Sequence, residues 1–352
     1  MNSVLKIQSP GFHPDPSLPK DLFKANFDYQ ETPVLEVDLT GTPTCRLLIK
    51  DERSRLGLAS FKALGGIYAV ARLIAKHWLS QTGQNLSAAD YQQPAVRELA
   101  ASITFVCASA GNHGLAVARG AAHFGTRTRV HLAATVPEAF AERLRAEGAQ
   151  VLRSGADYEA SVALALQDAE QSGAILLADG SWPGYFEAPA LVMEGYTLMA
   201  EELRGYFLLD DSWPSQVYLQ AGVGGLAAAM ACMIRERWVV QPEIIIVEPG
   251  AAPCLRDSVA AGQMVRVKGP VSNMGRLDCK EPSLLALHVL SDTADRFITV
   301  CDEQADAAQQ ELALLGVDTT PSGAAGFAGL RSDCGRRDAS GHILIIATEA
   351  VI

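Results

Sequence analysis

Short apolar strands alternate with helices along most of the chain, and this alternation constrains the fold more than any other feature. The run SITFVCAS at 102–109 leads through a glycine turn into an alanine-rich helix. The same order of strand and helix returns at 127–149, at 150–173 and at 215–238. Buried strands that alternate with helices of about 10 to 15 residues are typical of parallel sheets with helices on both faces. The predicted class is therefore α/β, with two lobes that each hold a mainly parallel sheet.

The strand and helix units fall into two groups, and the length of the chain allows for two domains. At 352 residues it exceeds the roughly 250 to 300 residues at which a single core stops growing. We predict a large domain made of residues 1–82 and 191–352, and a small domain made of residues 83–190. Residues 257–293 are expected to be irregular, because glycine, proline and asparagine are spread through them. A hairpin or a pair of edge strands around the turn GTPT is predicted at 33–52.

Composition and charge argue against several classes of partner. The net charge of -11 is unfavourable for nucleic acid and for anionic membranes, since both select basic surfaces. We find no run of about 18 apolar residues that would predict a membrane span. The 7 cysteines include no C-x-x-C pair and the 7 histidines no H-E-x-x-H motif, so neither a disulfide framework nor a metal site is predicted. We expect a cytoplasmic protein with a small-molecule partner.

One lysine, Lys62, has apolar neighbours throughout the stretch RSRLGLASFKALGGIYAV at 53–70. Because burial disfavours the ammonium form, we expect a desolvated amine that is available as a nucleophile for Schiff-base chemistry with an aldehyde cofactor. A solvated lysine at the start of a helix is the ordinary alternative. The motifs elsewhere in the chain decide between these two interpretations.

Two strand-to-helix turns are rich in glycine. One consists of Ser109, Ala110, Gly111, Asn112, His113 and Gly114, and the other of Gly222, Val223, Gly224, Gly225 and Leu226. Each turn places free backbone N–H groups at a helix N-terminus, where the helix dipole favours an anion. Tight packing after a strand is the alternative for either turn alone. Two such turns in a chain with a nucleophilic lysine indicate one ligand with two anionic groups.

The second turn also fits a relaxed dinucleotide fingerprint, so a nicotinamide-dependent (NAD) dehydrogenase is the alternative from another class. The pattern G-x-G-x-x-A matches residues 222–227, and Glu248 ends the following strand near the place of a ribose-binding acid. However, the match lies in the middle of the chain. It also leaves Lys62, the turn at 109–114 and the sequence TPSG at 320–323 without explanation.

Four motifs, RLGLASFKALGG, SAGNHG, AGVGGL and TPSGAAG, follow one another in this order. Together they resemble the motif set of the fold type II pyridoxal-phosphate enzymes, the threonine dehydratase and tryptophan synthase β group. Within that group the chain is most similar to the diaminopropionate ammonia-lyases, on residues 50–69, 177–196 and 273–283. The similarity extends from about Phe27 to the C-terminus. It implies pyridoxal 5'-phosphate as the cofactor, a small amino acid as the substrate and a homodimer as the assembly.

The resemblance also implies roles for individual residues. Lys62 would form the internal aldimine, Asn112 would bond the phenolic oxygen of the cofactor, and Ser322 would face the pyridine nitrogen. A neutral hydroxyl at that nitrogen favours elimination of a β-substituent over transamination, because it does not hold the nitrogen protonated. Backbone groups complete the site: Gly222, Val223, Gly224, Gly225 and Leu226 for the cofactor phosphate, and Ser109, Ala110, Gly111, His113 and Gly114 for the substrate carboxylate.

Two acidic positions and one departure refine the resemblance. Asp179 matches an acid that lies near the substrate in the ammonia-lyases, where it would help an amine to leave; a turn or cap aspartate is the alternative. Glu281 also matches, without an assigned role, and His113 is expected to position its neighbours. Ala110 departs from the ammonia-lyases, which carry an aspartate there as the base for the D-isomer, and follows the threonine dehydratases instead. This departure argues against activity on D-substrates.

The leading hypothesis is a lyase that eliminates ammonia from a small L-amino acid, with 2,3-diaminopropionate as the first candidate. Lys62 would remove the α-proton, Asp179 would help the β-group to leave, and the product would be a 2-oxo acid such as pyruvate. The nearest alternative is a dehydratase that acts on serine, threonine or hydroxyaspartate. A β-replacement synthase would use the same intermediate, and the dehydrogenase would use the glycine turn at 222–227.

Overall fold

The structure is a computed structural model. It describes residues 11–38, 46–109, 111–156, 158–333 and 341–351, with the backbone alone for residues 158 and 159. The predicted turn GTPT and Ala110 lie outside the described residues.

The larger of two sheets contains six strands. They are β1 (Val34–Asp38), β2 (Arg46–Asp51), β7 (Pro214–Gln220), β8 (Glu243–Pro249), β9 (Arg296–Val300) and β10 (His342–Ala347). Their order is β1-β2-β10-β7-β8-β9. β1 pairs with β2 in antiparallel register, with Glu36 opposite Leu48, and the other neighbours are parallel. The predicted pairing of the two strands within 33–52 is confirmed, and it forms one edge of this sheet.

The smaller sheet has four parallel strands. They are β3 (Thr104–Ala108), β4 (Arg127–Leu132), β5 (Gln150–Arg153) and β6 (Ile175–Leu176), in the order β5-β4-β3-β6. β6 is shorter than the predicted strand AILLADG at 174–180. The reason is that the N–H of Ala178 donates to the hydroxyl of Tyr185, 3.0 Å away, and not to a neighbouring strand.

Helices flank both sheets. They are α1 (Ser17–Asn26), α2 (Lys62–Thr82), α3 (Pro94–Ser102), α4 (Asn112–Phe124), α5 (Glu138–Ala146), α6 (Tyr158–Ser172), α7 (Glu187–Asp210), α8 (Gly225–Arg237), α9 (Cys254–Ala261), α10 (Leu284–Thr293), α11 (Asp302–Leu314) and α12 (Pro321–Ser332). In the part of the chain that the structure describes, none of these helices is both long and apolar enough to cross a membrane. The predicted α/β class, with mainly parallel sheets flanked by helices, is confirmed.

The expectation that residues 257–293 are irregular is wrong at both ends. α9 continues to Ala261 and is ended by Gly262 in a left-handed conformation. α10 occupies the last ten residues, LLALHVLSDT, and buries leucines on several of its faces. A helix that is apolar all round has no polar stripe with a period of 3.6 residues, so the sequence carries no helical signal there.

The start of α2 is held by a close helix crossing with α7. A Cβ atom on Gly65 would lie 2.4 Å from a ring carbon of Tyr196, and one on Gly195 would lie 2.5 Å from the carbonyl oxygen of Leu64. Because protein interiors are close-packed, no larger residue fits at either glycine without displacement of a helix. The crossing thereby fixes the position of the turn that carries Lys62.

The strands of the two sheets separate along the chain as the predicted domains do. All four strands of the smaller sheet fall within residues 83–190, and the strands of the larger sheet fall within 1–82 and 191–352. The domain boundaries themselves stay a prediction.

Candidate active site

The first turn of α2 and the loop after β6 bring two opposite charges together. Lys62 is the first residue of α2, and its Nζ lies 2.5 Å from Oδ2 of Asp179. The two side chains are 22% and 24% exposed, so the pair lies in a partly open site. The ring centroids of Phe61 and Tyr196 lie 5.4 and 5.8 Å from Nζ. Two residues that the sequence analysis singled out separately thus form one charged pair, which we call the site pair.

The prediction of an uncharged amine at Lys62 is wrong for this arrangement. Burial acts to lower the pKa of Lys62, but the carboxylate of Asp179 acts in the opposite direction, and the net pKa lies above its ordinary value. For Asp179, burial acts to raise the pKa, but the charge of Lys62 outweighs it and holds the pKa below its ordinary range. Desolvation alone would favour the neutral amine, but the loop supplies a carboxylate that reverses the balance. Both members of the site pair are therefore charged.

His113 is buried at the second position of α4. Its Nε2 donates to the carbonyl oxygen of Leu177, 2.9 Å away, which leaves Nδ1 as the unprotonated nitrogen of the neutral ring. Burial lowers the pKa of His113. A neutral ring with one fixed donor holds the strand end before Asp179 against α4, and the positional role of His113 stays a prediction.

The turn before α4 uses two of its amides internally. The Oγ of Ser109 accepts the N–H of Gly111 at 3.2 Å and that of Gly114 at 3.1 Å. A Cβ atom at Gly114 would lie 2.8 Å from the carbonyl oxygen of Ser109, so this position requires glycine. The prediction that these amides hold a substrate carboxylate stays a prediction. For a carboxylate to bind there, the Ser109 hydroxyl must release the N–H groups of Gly111 and Gly114 or share them with the carboxylate.

The second glycine turn joins β7 to α8 and lies close to the site pair. Gly224 has a φ of +98°, which favours glycine, and Gly225 begins α8. A Cβ atom on Gly225 would lie 4.0 Å from the carbonyl oxygen of Asp179, and one on Gly222 would lie 3.0 Å from Sγ of Cys279. The first amides of α8 have no acceptor within the helix by its geometry. The turn therefore presents N–H groups near the backbone of Asp179, as an anionic group would require.

Two predicted cofactor ligands contact residues that the sequence analysis missed. Nδ2 of Asn112 donates to Oε2 of Glu349 at 2.6 Å, and the backbone N–H of Arg276 donates to Oγ of Ser322 at 3.2 Å. Arg276 and Glu349 are themselves paired at 2.6 Å. A signal for Glu349 was present in the sequence, because it follows a buried strand at the carboxyl edge of a parallel sheet, where ligands bind in α/β folds.

Glu248, the acid that supported the dinucleotide alternative, binds backbone groups of a helix instead. Glu248 is buried at the end of β8, and its carboxylate accepts the N–H groups of Leu255 and Arg256 at 2.7 and 2.9 Å. Burial raises the pKa of Glu248 to about 7. This carboxylate binds the first turn of α9, so the dehydrogenase hypothesis loses its second feature. Glu281 is exposed and lies 3.6 Å from Arg266.

Metal-binding residues do not cluster in the described ranges. Within them, no group of three or more His, Cys, Asp and Glu side chains is placed to hold a metal ion. The described cysteines are free thiols: Cys107, Cys232, Cys254, Cys279 and Cys301.

Comparison with known proteins adds independent similarities. A family model described as "Pyridoxal-phosphate dependent enzyme" matches residues 26–349. The chain is 34% identical to the diaminopropionate ammonia-lyase of Salmonella typhimurium, over 86% of this chain and 80% of that protein. It is 29% identical to a probable D-serine dehydratase of Paracidovorax citrulli, over 85% and 69% of the two chains. The crystal structure of the Escherichia coli diaminopropionate ammonia lyase with an aminoacrylate-PLP azomethine intermediate superposes with a TM-score of 0.83 at 26% identity, covering 99% and 92% of the two chains.

Proposed function

Because the chain belongs to the pyridoxal-phosphate dependent enzyme family, we propose that it eliminates ammonia from a small L-amino acid, with 2,3-diaminopropionate as the first candidate. The product is a 2-oxo acid such as pyruvate. The observation that carries the proposal is the 2.5 Å contact between Nζ of Lys62 and Oδ2 of Asp179. It provides an amine and a carboxyl group within reach of one small substrate.

The residues around Lys62 fit pyridoxal 5'-phosphate. Lys62 offers the amine that the cofactor's aldehyde requires, and the turn from Gly222 to Leu226 offers amides at the positive end of the α8 dipole for the phosphate. Asn112 and Ser322 are the further ligands that we propose. When bound, the cofactor supplies an electron sink for the carbanion that forms at the substrate α-carbon.

The site pair gives the chain a route for protons. Nζ of Lys62 is the proposed base for the α-proton. Asp179 in the pair is a carboxylate, so it first accepts a proton from Lys62 and only then donates one to the leaving β-amine. The exposure of both side chains leaves room for a substrate beside them. Elimination of an amine therefore uses the two groups in sequence.

A substrate panel tests the proposal. The purified protein is given 2,3-diaminopropionate, serine, threonine and hydroxyaspartate, and the 2-oxo acid and ammonia released are measured. Highest turnover on diaminopropionate supports the proposal. Higher turnover on a hydroxy amino acid would replace it with a dehydratase, which the similarity to the probable D-serine dehydratase favours as the second candidate. A new amino acid among the products would indicate a β-replacement synthase.

We also propose that the protein forms a homodimer and is located in the cytoplasm. The free thiols of the described cysteines suit a reducing compartment. The family resemblance supports the dimer. Light scattering of the purified protein at micromolar concentration measures its mass, and a mass equal to that of one chain, 37.4 kDa, would contradict the dimer.

A further inference from the structure

The carboxylate of Glu349 lies where separate segments of the chain meet. Its Oε2 accepts Nδ2 of Asn112 at 2.6 Å. Its Oε1 accepts Nη1 of Arg276 at 2.6 Å and Oγ1 of Thr320 at 2.5 Å. Asn112 begins α4, Arg276 lies between α9 and α10, and Thr320 is the N-cap of α12. One carboxylate therefore joins the first turn of α4 to two segments that belong with the larger sheet.

The backbone on either side of Glu349 is bound to the segment before Lys62. The N–H of Phe61 donates to the carbonyl of Thr348 at 3.1 Å, and the N–H of Ala350 donates to the carbonyl of Ala59 at 3.0 Å. Ala59 has a φ of 57°, a conformation that is costly for a residue with a side chain. These two hydrogen bonds hold the strained segment in place. Glu349 thus lies beside the point at which α2 begins.

The burial of Glu349 makes its hydrogen bonds necessary. The residue is 2% exposed, while the side chain of Arg276 remains 32% exposed. A buried carboxylate is costly without a cation and donors, and here one guanidinium, one amide and one hydroxyl supply them. Burial raises the pKa of Glu349, while Arg276, Thr320 and the charge of Lys62 act against this effect. The hydrogen bonds of the flanking backbone to Ala59 and Phe61 place Glu349 near the first residue of α2, Lys62.

We infer that Glu349 is a positioning residue of the cofactor pocket, which orients the amide of Asn112 and the guanidinium of Arg276 and places a negative charge near Lys62. The inference rests on the proposed function, since Asn112 and Lys62 are cofactor ligands in it. The Asn112 amide has two N–H donors and the Arg276 guanidinium has five. Glu349 accepts one hydrogen bond from Asn112 and one from Arg276. These bonds fix the directions of the remaining N–H donors, which point to the cofactor in the case of Asn112 and to an anionic group of the substrate in the case of Arg276.

The variant Glu349→Gln tests this inference, with Glu248→Gln as the matched control. Both residues are buried carboxylates that accept more than one hydrogen bond, but Glu248 binds the first turn of α9. Two quantities are measured on the full chain without substrate: the affinity for pyridoxal 5'-phosphate, and the pH midpoint of the visible absorbance of the cofactor-bound protein.

The expected result is a roughly tenfold loss of cofactor affinity in Glu349→Gln, because a hydrogen bond to a charged group is lost. The pH midpoint falls by about one unit, since removal of a nearby anion disfavours the protonated form of the nitrogen at Lys62. Glu248→Gln changes neither quantity. In Glu349→Asp, which keeps the charge, the pH midpoint stays close to the wild-type value.

Unchanged affinity and an unchanged midpoint in a folded Glu349→Gln protein would overturn the inference. If that variant does not fold, Asn112→Ala and Arg276→Gln remove the partners singly. At least one of them should weaken cofactor binding roughly tenfold, and wild-type affinity in both would overturn the inference as well. Because the assay contains no amino acid, failure to release ammonia from diaminopropionate would refute the proposed substrate and leave these results standing. A wild-type protein that binds no pyridoxal 5'-phosphate would refute both.

Discussion

Two groups of charged residues contact the segment 52–62, and they differ in how far their side chains are exposed to solvent. One is the site pair of Lys62 and Asp179. The other, which we call the structural cluster, consists of Lys50, Glu52, Arg55 and Glu202. In the structural cluster every charged side chain is at most 1% exposed, whereas those of the site pair are 22% and 24% exposed.

The structural cluster is closed. Arg55 binds both carboxylates of the cluster, and Lys50 binds Glu202 and a backbone carbonyl. Two hydroxyl groups, those of Tyr29 and Thr32, occupy further acceptor positions on the carboxylates. Two cations and two anions balance, and because each side chain is almost fully buried, the cluster holds the strained turn before α2 and is closed to a ligand.

The site pair is open by contrast. Among the described residues, the side chain of Asp179 is hydrogen-bonded to Lys62 alone, and the exposed fraction of both leaves space for other groups. We propose that the open pair exchanges protons with a substrate, whereas the closed cluster only stabilises the fold. Both groups balance their charges, so it is the exposure of the site pair that distinguishes it from the structural cluster.

The largest effect is expected for Lys62→Ala. Turnover falls by more than roughly 10⁴-fold, because the base and the covalent anchor of the cofactor are removed together. The absorbance that borohydride reduces disappears as well. Lys76→Ala, which changes an exposed lysine on the same helix, is the control and retains wild-type turnover. Full activity of Lys62→Ala would eliminate the proposed mechanism.

The structural cluster is expected to affect stability and not chemistry. Arg55→Met leaves two buried carboxylates without their shared cation and lowers the free energy of unfolding by about 3 to 5 kcal/mol. Urea unfolding measures this loss. Arg46→Met, which breaks an exposed pair with Glu36, changes it by less than about 1 kcal/mol. A folded Arg55→Met protein with normal stability would show that the cluster is not the anchor we describe.

Asp179→Asn tests the second half of the site pair. The amide cannot pass a proton to the leaving amine, so turnover on diaminopropionate falls by about 10² to 10³-fold. Cofactor absorbance is retained, because Lys62 is still present. Steady-state kinetics with a spectrum of the same sample check both statements. Wild-type turnover in this variant would show that Asp179 has no catalytic role and is an ordinary turn residue.

The smallest effect concerns pH and stability. Because the folded pKa of Asp179 is depressed, the site pair contributes stability above the unfolded pKa of about 4, and this contribution is lost as the pH falls through the folded pKa. The raised pKa of Lys62 preserves the contribution at alkaline pH up to about 10. The difference in unfolding free energy between the wild type and Asp179→Asn should therefore shrink below about pH 4. A difference that stays constant from neutral to acidic pH would contradict the ion pair.

Local patterns in the sequence determined much of the architecture. The alternation of buried strands and helices predicted the α/β class, and the glycine turns at 109–114 and 222–226 mark helix starts that the structure contains. These features depend on neighbours within a few residues, which the sequence shows directly. The prediction was wrong at α10, because its first two turns bury apolar side chains on most of their faces and so show no clear helical period.

The charges of the site depend on contacts between residues that lie far apart in the chain. Lys62 and Asp179 are 117 positions apart, and Asn112 and Glu349 are 237 positions apart, so no local pattern reveals either contact. The charged state of Lys62 follows from a competition between burial and a carboxylate 2.5 Å away, and such a competition depends on distances in space. Local sequence identified the lysine and the acid as candidates; folding made them a pair and placed Glu349 near the start of α2.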